Sequence, residues 1–423
     1  MNEAVVGTRI EREDGWGKVL GETHFPADVN RPGELYGAVL RSPHAHAHIR
    51  SVNVRAAAAL PGVVGVFTAE NVPHNAHGVL FRDQQVLVSE CVRMVGDPIA
   101  AVAAETEKIA REAIARVEVD YEILPGLFDP EEAMKPDAPA LHPDMHGPSN
   151  VLYHLPIRRG DMQAGWTKAD VVVEKEYRTQ MLDHAFLQPE AVLAYVDERG
   201  HLVVKVATQY AHYDRGEIAH ALGLKYSQVR VKTMAVGGAF GGREDISLQI
   251  IAGLMAWTLR KPIKMENTRT ESFLSHSKRH PMRLYYKTGA TKDGKLVALE
   301  AKIIGDAGAY SSWSPNVVRK AAIHATGPYE IPNVQIDSYA VLTNNPYSGA
   351  MRAFGAAQPV LAYESQMDLL AEALGLSPLE MRLRNIFHVG SVTATGQMLT
   401  SSVGMAKCLQ ALTPYLATKG DAS

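Results

Sequence analysis

Cysteine is nearly absent from this chain. Cys91 and Cys408 are its two thiols in 423 residues, far apart and each without a neighbouring cysteine. That excludes a disulfide framework, a four-cysteine zinc site and an iron–sulfur cluster held by this chain alone, so a redox centre of that kind has to sit on another polypeptide. Long apolar runs are missing too. No stretch of about 18 uninterrupted apolar residues occurs, and the opening MNEAVVGTRIEREDGW lacks the basic segment and apolar core of a secretory leader. The expectation is a cytoplasmic protein with no membrane partner. Neither sign of charge dominates: 43 basic and 46 acidic residues give a net charge of −3, which argues against nucleic acid as a partner. The common cofactor fingerprints are absent as well, with no GxGxxG, no P-loop Lys-Ser/Thr and no HExxH.

Histidine is present in number, with 17 residues. Three of them, His44, His46 and His48, alternate in HAHAHI, which reads as one face of an edge strand with solvated or core-bonded imidazoles, metal binding being the alternative.

Residues from about 12 to 125 alternate strands with turn signals, as in ELYGAVLRS, GVVGVFTA and DPIAAVAAE. TEKIAREAIARV follows as a helix with Ala110, Ile114 and Val117 on one side, and then the strand VEVDYEI. From Leu124 the composition shifts. PGLFDPEEAMKPDAPALHPDMHGPSN carries six prolines and little periodicity, as a linker or covering segment would. The expected division is therefore an α/β unit over residues 1–125, a linker over 126–150, and a second domain over 151–423 with a C-terminal tail. In that second domain ADVVVEKEYRT, AVLAYVDERGHLVVKVATQ and QVRVKTMAV are strands, the last leading into a glycine loop. Asp245 is placed to cap a helix, ISLQIIAGLMAWTLR, that stops before Pro262. A hairpin turns at Asp293-Gly294, VQIDSYAVLT is a further strand, and a helix near PVLAYESQMDLLAEALG ends at Gly375.

The glycine loop, AVGGAFGGRED, packs four glycines into positions 237–242 around one ring, Phe240. Glycine tolerates positive φ and lets the main chain touch another group, at roughly 0.5 to 1 kcal/mol each relative to alanine in regular structure. A strand, such a loop and a helix can converge backbone N–H groups on an anionic or oxo-bearing ligand; a tight crossover with close helix packing needs the same residues. Two segments share its character. ATQYAHYDR ends a strand with Gln209, either a functional amide or a hydrogen-bonded strand end. NNPYSGAMRAFGAAQP combines a turn, small residues, Arg352 and Phe354, and for Arg352 alone the commoner fate is to pair with a surface carboxylate.

Together, TQ at 208–209, GGAFGG at 237–242 and AMRAFG at 350–355 resemble the molybdenum hydroxylases: xanthine dehydrogenases, aldehyde oxidoreductases and nicotinate dehydrogenase. REDGWGKVLGETHFPAD, RSPHAHAHI and VRMVGDPIAAVAAET resemble the α/β hammerhead domain of their large subunit. HAFLQPE (184–190), KRHP (278–281), GDAGAY (305–310) and LEMRLRN (379–385) resemble its first molybdopterin-binding domain, so the resemblance covers nearly the whole chain. It implies an α+β fold made of these two domains in that order.

By resemblance, the cofactor is molybdenum on molybdopterin, in its cytosine dinucleotide or a related form, lying against Gly238, Ala239, Phe240 and Gly241. Gln209 would hydrogen-bond the metal's apical oxo ligand and Arg352 would anchor the loop beside it, so that Gln209, Phe240 and Arg352 surround the metal without ligating it. Phe240 and Phe354 correspond to the two rings that hold a flat substrate. The implied reaction is hydroxylation with water as the oxygen source, electrons leaving through the pterin. The family's general base is a glutamate in a second molybdopterin-binding domain, which implies a split large subunit whose other half supplies it, with FAD and [2Fe–2S] clusters on further subunits.

Substrate hangs on fewer positions. Glu244 matches the glutamate with which xanthine enzymes bind the purine, but a carboxylate at a helix start would read the same way. Lys320 falls where those enzymes place a substrate-orienting arginine, and lysine offers a point charge in place of a planar fork. Gln188 stands where the family has a glutamate, and Met351 where carbon monoxide dehydrogenases have a cysteine. A purine-like N-heterocycle is the expected substrate, with nicotinate or an aldehyde as alternatives. A non-catalytic cofactor-binding or chaperone module and a free-standing nucleotide binder are the competing classes.

Overall fold

The computed structural model describes residues 7–416; the first six residues of the expected 1–125 unit and the last seven of the tail lie outside them. The chain forms two compact units. One comprises the chain up to His77, Gln84–Ile123 and Ala185–His276; the other Gly78–Asp83, Leu124–His184 and the chain from Ser277 onward.

The first unit is built on a seven-stranded sheet in the order Val229–Thr233, Leu202–Val206, Ala191–Val196, Ile263–Glu266, Leu35–Arg41, Pro98–Ala104, Val63–Phe67. Leu35 pairs with Ile263 in parallel register, so strands from both sides of the 126–150 segment share one sheet. This grouping joins strands from both sides of the expected 126–150 linker in one compact unit. Leu202, Val204, Val206, Val192 and Ile263 are apolar and buried, each stabilising by roughly 1.5 to 3 kcal/mol on burial. The helix Gln249–Leu259 lies in the same core and buries every residue from Gln249 to Ala256, as its nearly uniform apolar circumference requires. On the alanine-rich strand Pro98–Ala104 packs the helix Glu107–Ile114 through Ala110 and Ala113. Thr106 caps that helix, its Oγ1 accepting from the Ile109 N–H at 3.2 Å.

The HAHAHI reading is corrected here. The strand begins at Ala47, so His44 and His46 precede it and do not share a face with His48. It is also the middle strand of a three-stranded sheet, between Cys91–Val92 and Glu118–Ile123. Among the described residues no group of three or more His, Cys, Asp or Glu could hold a metal ion.

The second unit is a five-stranded sheet in the order Val151–Arg159, Asn333–Leu342, Leu296–Gly308, Met282–Ala290, Val171–Arg178. The hairpin Met282–Gly308 turns at Asp293-Gly294 as expected, Gly294 taking φ +83°. The helices Ser314–Ile323 and Gln358–Leu374 supply Val317, Val318, Ala321, Ala362, Met367 and Leu370 to its core. The second of these ends at Gly375, left-handed at φ +69°. Residues 126–150 are packed in this unit: Ala133 buries against Ile304 and Val341, and Leu141 against Ala307 and Leu342.

Candidate active site

In the first unit the strand Leu202–Val206 gives way to Ala207, Thr208 and Gln209, and the glycine loop follows Val229–Thr233 on the adjacent strand. The two segments are zipped together. The Gln209 N–H donates to the Arg243 carbonyl at 3.1 Å. In return, Gln209 Oε1 accepts from the N–H of Gly241 at 3.1 Å and of Arg243 at 3.3 Å. With its oxygen engaged twice, the carboxamide presents Nε2 as its remaining donor.

The loop itself is strained. Gly238 and Gly241 take φ +105° and +103°, and Phe240 takes φ +52° with its ring 50% exposed. A bulky residue in that region costs of order 1 to 3 kcal/mol and persists where the surroundings impose it. They do so through Arg243, which sequence reading did not single out, and through Gln188, whose departure from the family's glutamate it noted without assigning a role. Arg243, buried, donates from Nε to the Gly238 carbonyl at 2.9 Å and from Nη2 to the Gln188 carbonyl, with its guanidinium 4.3 Å from the Phe186 ring centroid. Gln188 Oε1 accepts from the Gly237 N–H at 2.8 Å. A Cβ on Gly237 would lie 2.6 Å from Gln188 Cβ, and one on Gly238 2.9 Å from Phe186 Cβ, so two of the glycines are required by the chain's own packing.

The helix after the loop starts at Gln249 with Leu248 as its N-cap, not at Asp245. The loop amides are therefore not a helix N-terminus. Those of Gly237, Gly241 and Gly242 are bonded internally, and those of Gly238, Ala239 and Phe240 make no hydrogen bond among the described residues. Three consecutive loop N–H groups and Nε2 of Gln209 are thus unengaged donors among the described residues, the chemistry that an anionic or oxo-bearing group requires. The Gly241 N–H, expected to face such a group, is instead held by Gln209.

Glu244 lies next to this cluster. Burial, and secondarily the charge of Asp245, push its carboxyl up to about 7. Behind Gln209, the fully buried Asp214 accepts from Gln249 Nε2 at 3.3 Å and from Thr208, and burial raises its carboxyl to about 7.

The second unit places Lys320, Arg352 and Phe354. Ala353, Phe354 and Gly355 are all left-handed, at φ +80°, +51° and +97°, and a Cβ on Gly355 would collide with the Val317 carbonyl. Phe354 meets Trp313 edge-on at 5.8 Å, and Lys320 Nζ lies 6.0 Å from its ring centroid. The loop is held from behind: Arg279 Nη2 donates to the Arg352 carbonyl at 2.9 Å, His184 Nε2 lies 2.7 Å from the Ala350 carbonyl, and Lys278 pairs with Asp183 at 2.9 Å. The Arg352 side chain is exposed. Gln209, Gly238, Ala239, Phe240, Gly241 and Glu244 are thus gathered in one unit, and Lys320 with Phe354 in the other.

Residues 142–386 match the molybdopterin cofactor-binding domain, and residues 20–125 match the a/b hammerhead domain of aldehyde oxidase and xanthine dehydrogenase. The chain belongs to the molybdenum hydroxylase family. It is 42% identical to the nicotinate dehydrogenase large molybdopterin subunit of Eubacterium barkeri, over 96% of this chain and 95% of that subunit. It is 38% identical to a probable xanthine dehydrogenase subunit of Bacillus subtilis (strain 168), over 95% of this chain and 53% of that one. The aldehyde oxidoreductase from Desulfovibrio gigas superposes with a TM-score of 0.92 at 29% identity, over 97% of this chain and 46% of that one. The chain thus spans nearly all of one of these relatives and about half the length of the other two. As in other molybdenum hydroxylases, the fold is a hammerhead domain with a molybdopterin-binding domain. The donor surface at Gln209 and Gly238–Phe240 has the chemistry an oxo-bearing, pterin-linked metal would need.

Proposed function

We propose that this chain is the molybdopterin-binding subunit of a multi-subunit molybdenum hydroxylase that hydroxylates an aromatic N-heterocycle with water as the oxygen source, a xanthine-like purine being favoured. The observation that carries the reading is the Gln209 carboxamide, locked by two loop amides with Nε2 left as a donor beside three unbonded backbone N–H groups. Molybdopterin, in its cytosine dinucleotide form, would supply a Lewis-acidic metal and a two-electron acceptor.

The chain's own residues hold and orient. Gln209 Nε2 and the N–H groups of Gly238, Ala239 and Phe240 donate to the bound group, and the left-handed loop keeps them aimed at it. The exposed Phe240 ring offers a flat apolar wall, and Glu244 offers a polar group for a ring nitrogen. Arg352 as a loop anchor, and Phe354 and Lys320 as substrate-orienting residues, belong to the same proposal. A glutamate on a second molybdopterin subunit acts as the general base, and FAD and [2Fe–2S] subunits carry electrons onward; the assembly is cytoplasmic. No helix among the described residues is long and apolar enough to cross a membrane.

A second reading, nicotinate as substrate, is favoured by the 42% identity to a nicotinate dehydrogenase subunit and by Lys320, whose ammonium would suit a carboxylate. Purification from the native host with all co-eluting chains, followed by metal analysis and assays on hypoxanthine, xanthine, nicotinate and benzaldehyde, separates the readings. Molybdenum with turnover of a ring-nitrogen compound is the expected result. Molybdenum with aldehyde turnover alone removes the role given to Glu244, and a metal-free complex removes the proposal.

A further inference from the structure

Three consecutive carbonyls of the glycine loop are held in place. The Gly237 carbonyl accepts from the Gln188 N–H at 3.3 Å, the Gly238 carbonyl from Arg243 Nε at 2.9 Å, and the Ala239 carbonyl from the Gly242 N–H at 2.9 Å. In a trans peptide the N–H points opposite to the carbonyl that shares its plane. The N–H groups of Gly238, Ala239 and Phe240, which make no hydrogen bond among the described residues, therefore face away from the groups that hold those carbonyls. A carboxamide stands at either end of the three. Gln188 Oε1 accepts from the Gly237 N–H at 2.8 Å, and Gln209 Oε1 accepts from that of Gly241 at 3.1 Å. Because the Gly237 N–H can only donate, the other end of the Gln188 amide is Nε2. That nitrogen is shut off from solvent and has no hydrogen-bond partner among the described residues.

The geometry points to Gln188 as a positioning residue, the counterpart of Gln209: it fixes the first peptide of the donor loop, and its uncharged amide leaves negative charge to the group bound there. This rests on the reading above, in which an oxo-bearing, pterin-linked metal lies against the loop. Gly237 has no side chain to limit its rotation, and a Cβ there would lie 2.6 Å from Gln188 Cβ, so Gln188 needs glycine opposite it. Gln188 grips that glycine twice, by its own N–H and by Oε1. Loss of the side-chain grip frees the Gly237 N–H, and with it the aim of the peptides that follow. A glutamate would grip Gly237 equally well and would leave no buried donor unserved. What it would add is a full negative charge beside amides that serve an oxygen acceptor, poorly screened where the side chain is partly buried. The carboxamide keeps the loop a face of donors and favours the bound metal in its reduced, more electron-rich state.

The test compares the native complex with complexes carrying Gln188→Glu or Gln188→Met. It measures the rate at which molybdopterin is released on warming, the molybdenum midpoint potential followed by electron paramagnetic resonance, and circular dichroism. Gln188→Glu keeps an acceptor for Gly237 and adds the charge. Its release rate is expected to match the native one, while reduction becomes about tenfold less favourable, ~59 mV for a one-electron step. Gln188→Met removes the grip without adding charge, and is expected to release molybdopterin about tenfold faster with an unchanged dichroism spectrum. A native release rate in Gln188→Met, or a native potential in Gln188→Glu, overturns the assignment and leaves the function reading standing. Where Gln188→Met does not fold, the potential of Gln188→Glu decides. A native complex that carries no molybdopterin overturns both.

Discussion

Gln209 Oε1 lies 3.1 Å from the amide nitrogen of Gly241, thirty-two positions later in the chain. That single bond, doubled by the Arg243 N–H, decides which end of the carboxamide is free. Gln209→Ala removes both the loop clamp and the free donor. The side chain is exposed, so the thermal midpoint is expected to move little, while kcat falls about 10²-fold, the scale seen when one positioned donor is lost at a reacting centre. Steady-state assays normalised to molybdenum content check it.

Arg243 is expected to matter for the shape of the loop rather than for charge. Its fork reaches the Gly238 and Gln188 carbonyls together, which a lysine ammonium cannot span. Arg243→Lys should lower the molybdenum retained by the purified complex several-fold while the chain stays folded. Metal analysis beside circular dichroism reads the two effects separately.

Gly355→Ala tests the second loop. The position combines φ +97° with a Val317 carbonyl where a Cβ would stand. The substitution should destabilise by about 1 to 3 kcal/mol or more, measured by urea unfolding. Alanine at Gly375, equally left-handed but with open space around it, should cost less.

Asp214 sets a pH dependence. Burial raises its carboxyl from 3.8 to about 7, against the hydrogen bonds from Thr208 and Gln249. The folded protein therefore keeps a proton that the unfolded chain has released between about pH 4 and pH 7. Its contribution is fully present below pH 4 and is lost as pH rises through 7, by an amount of the order of a few kcal/mol. Glu244 acts with the same sign, screened by its partial exposure. Asp214→Asn should flatten the fall in unfolding free energy over that window; an unchanged slope would contradict this assignment.

Local chemistry made much of the fold readable in advance. Short apolar runs between turn signals marked the strands Leu35–Arg41 and Pro98–Ala104, the Asp293-Gly294 pair marked the hairpin, and Gly375 marked the end of the helix Gln358–Leu374. Other features depended on distant partners and were not readable. The helix expected from Asp245 begins at Gln249, and the Ser247 N–H before it is taken by the Gln249 side chain at 2.8 Å. The strand Ile263–Glu266 pairs with the N-terminal strand Leu35–Arg41, a crossover that no local pattern announces. At the site, the motifs gave roles to Gln209 and Phe240, whereas Gln188, His184, Arg279 and Arg243 stood in quoted segments without a role, because they act through main-chain contacts made 49, 166, 73 and 5 positions away. An arginine directly after the glycine loop was the signal that could have found Arg243.

Crystals of the native complex measured at the molybdenum absorption edge would test the central claim most directly. The expected result is an anomalous peak facing Gln209 Nε2 and the unbonded N–H groups of Gly238, Ala239 and Phe240. A metal peak remote from that donor surface, or none in an active complex, would contradict it.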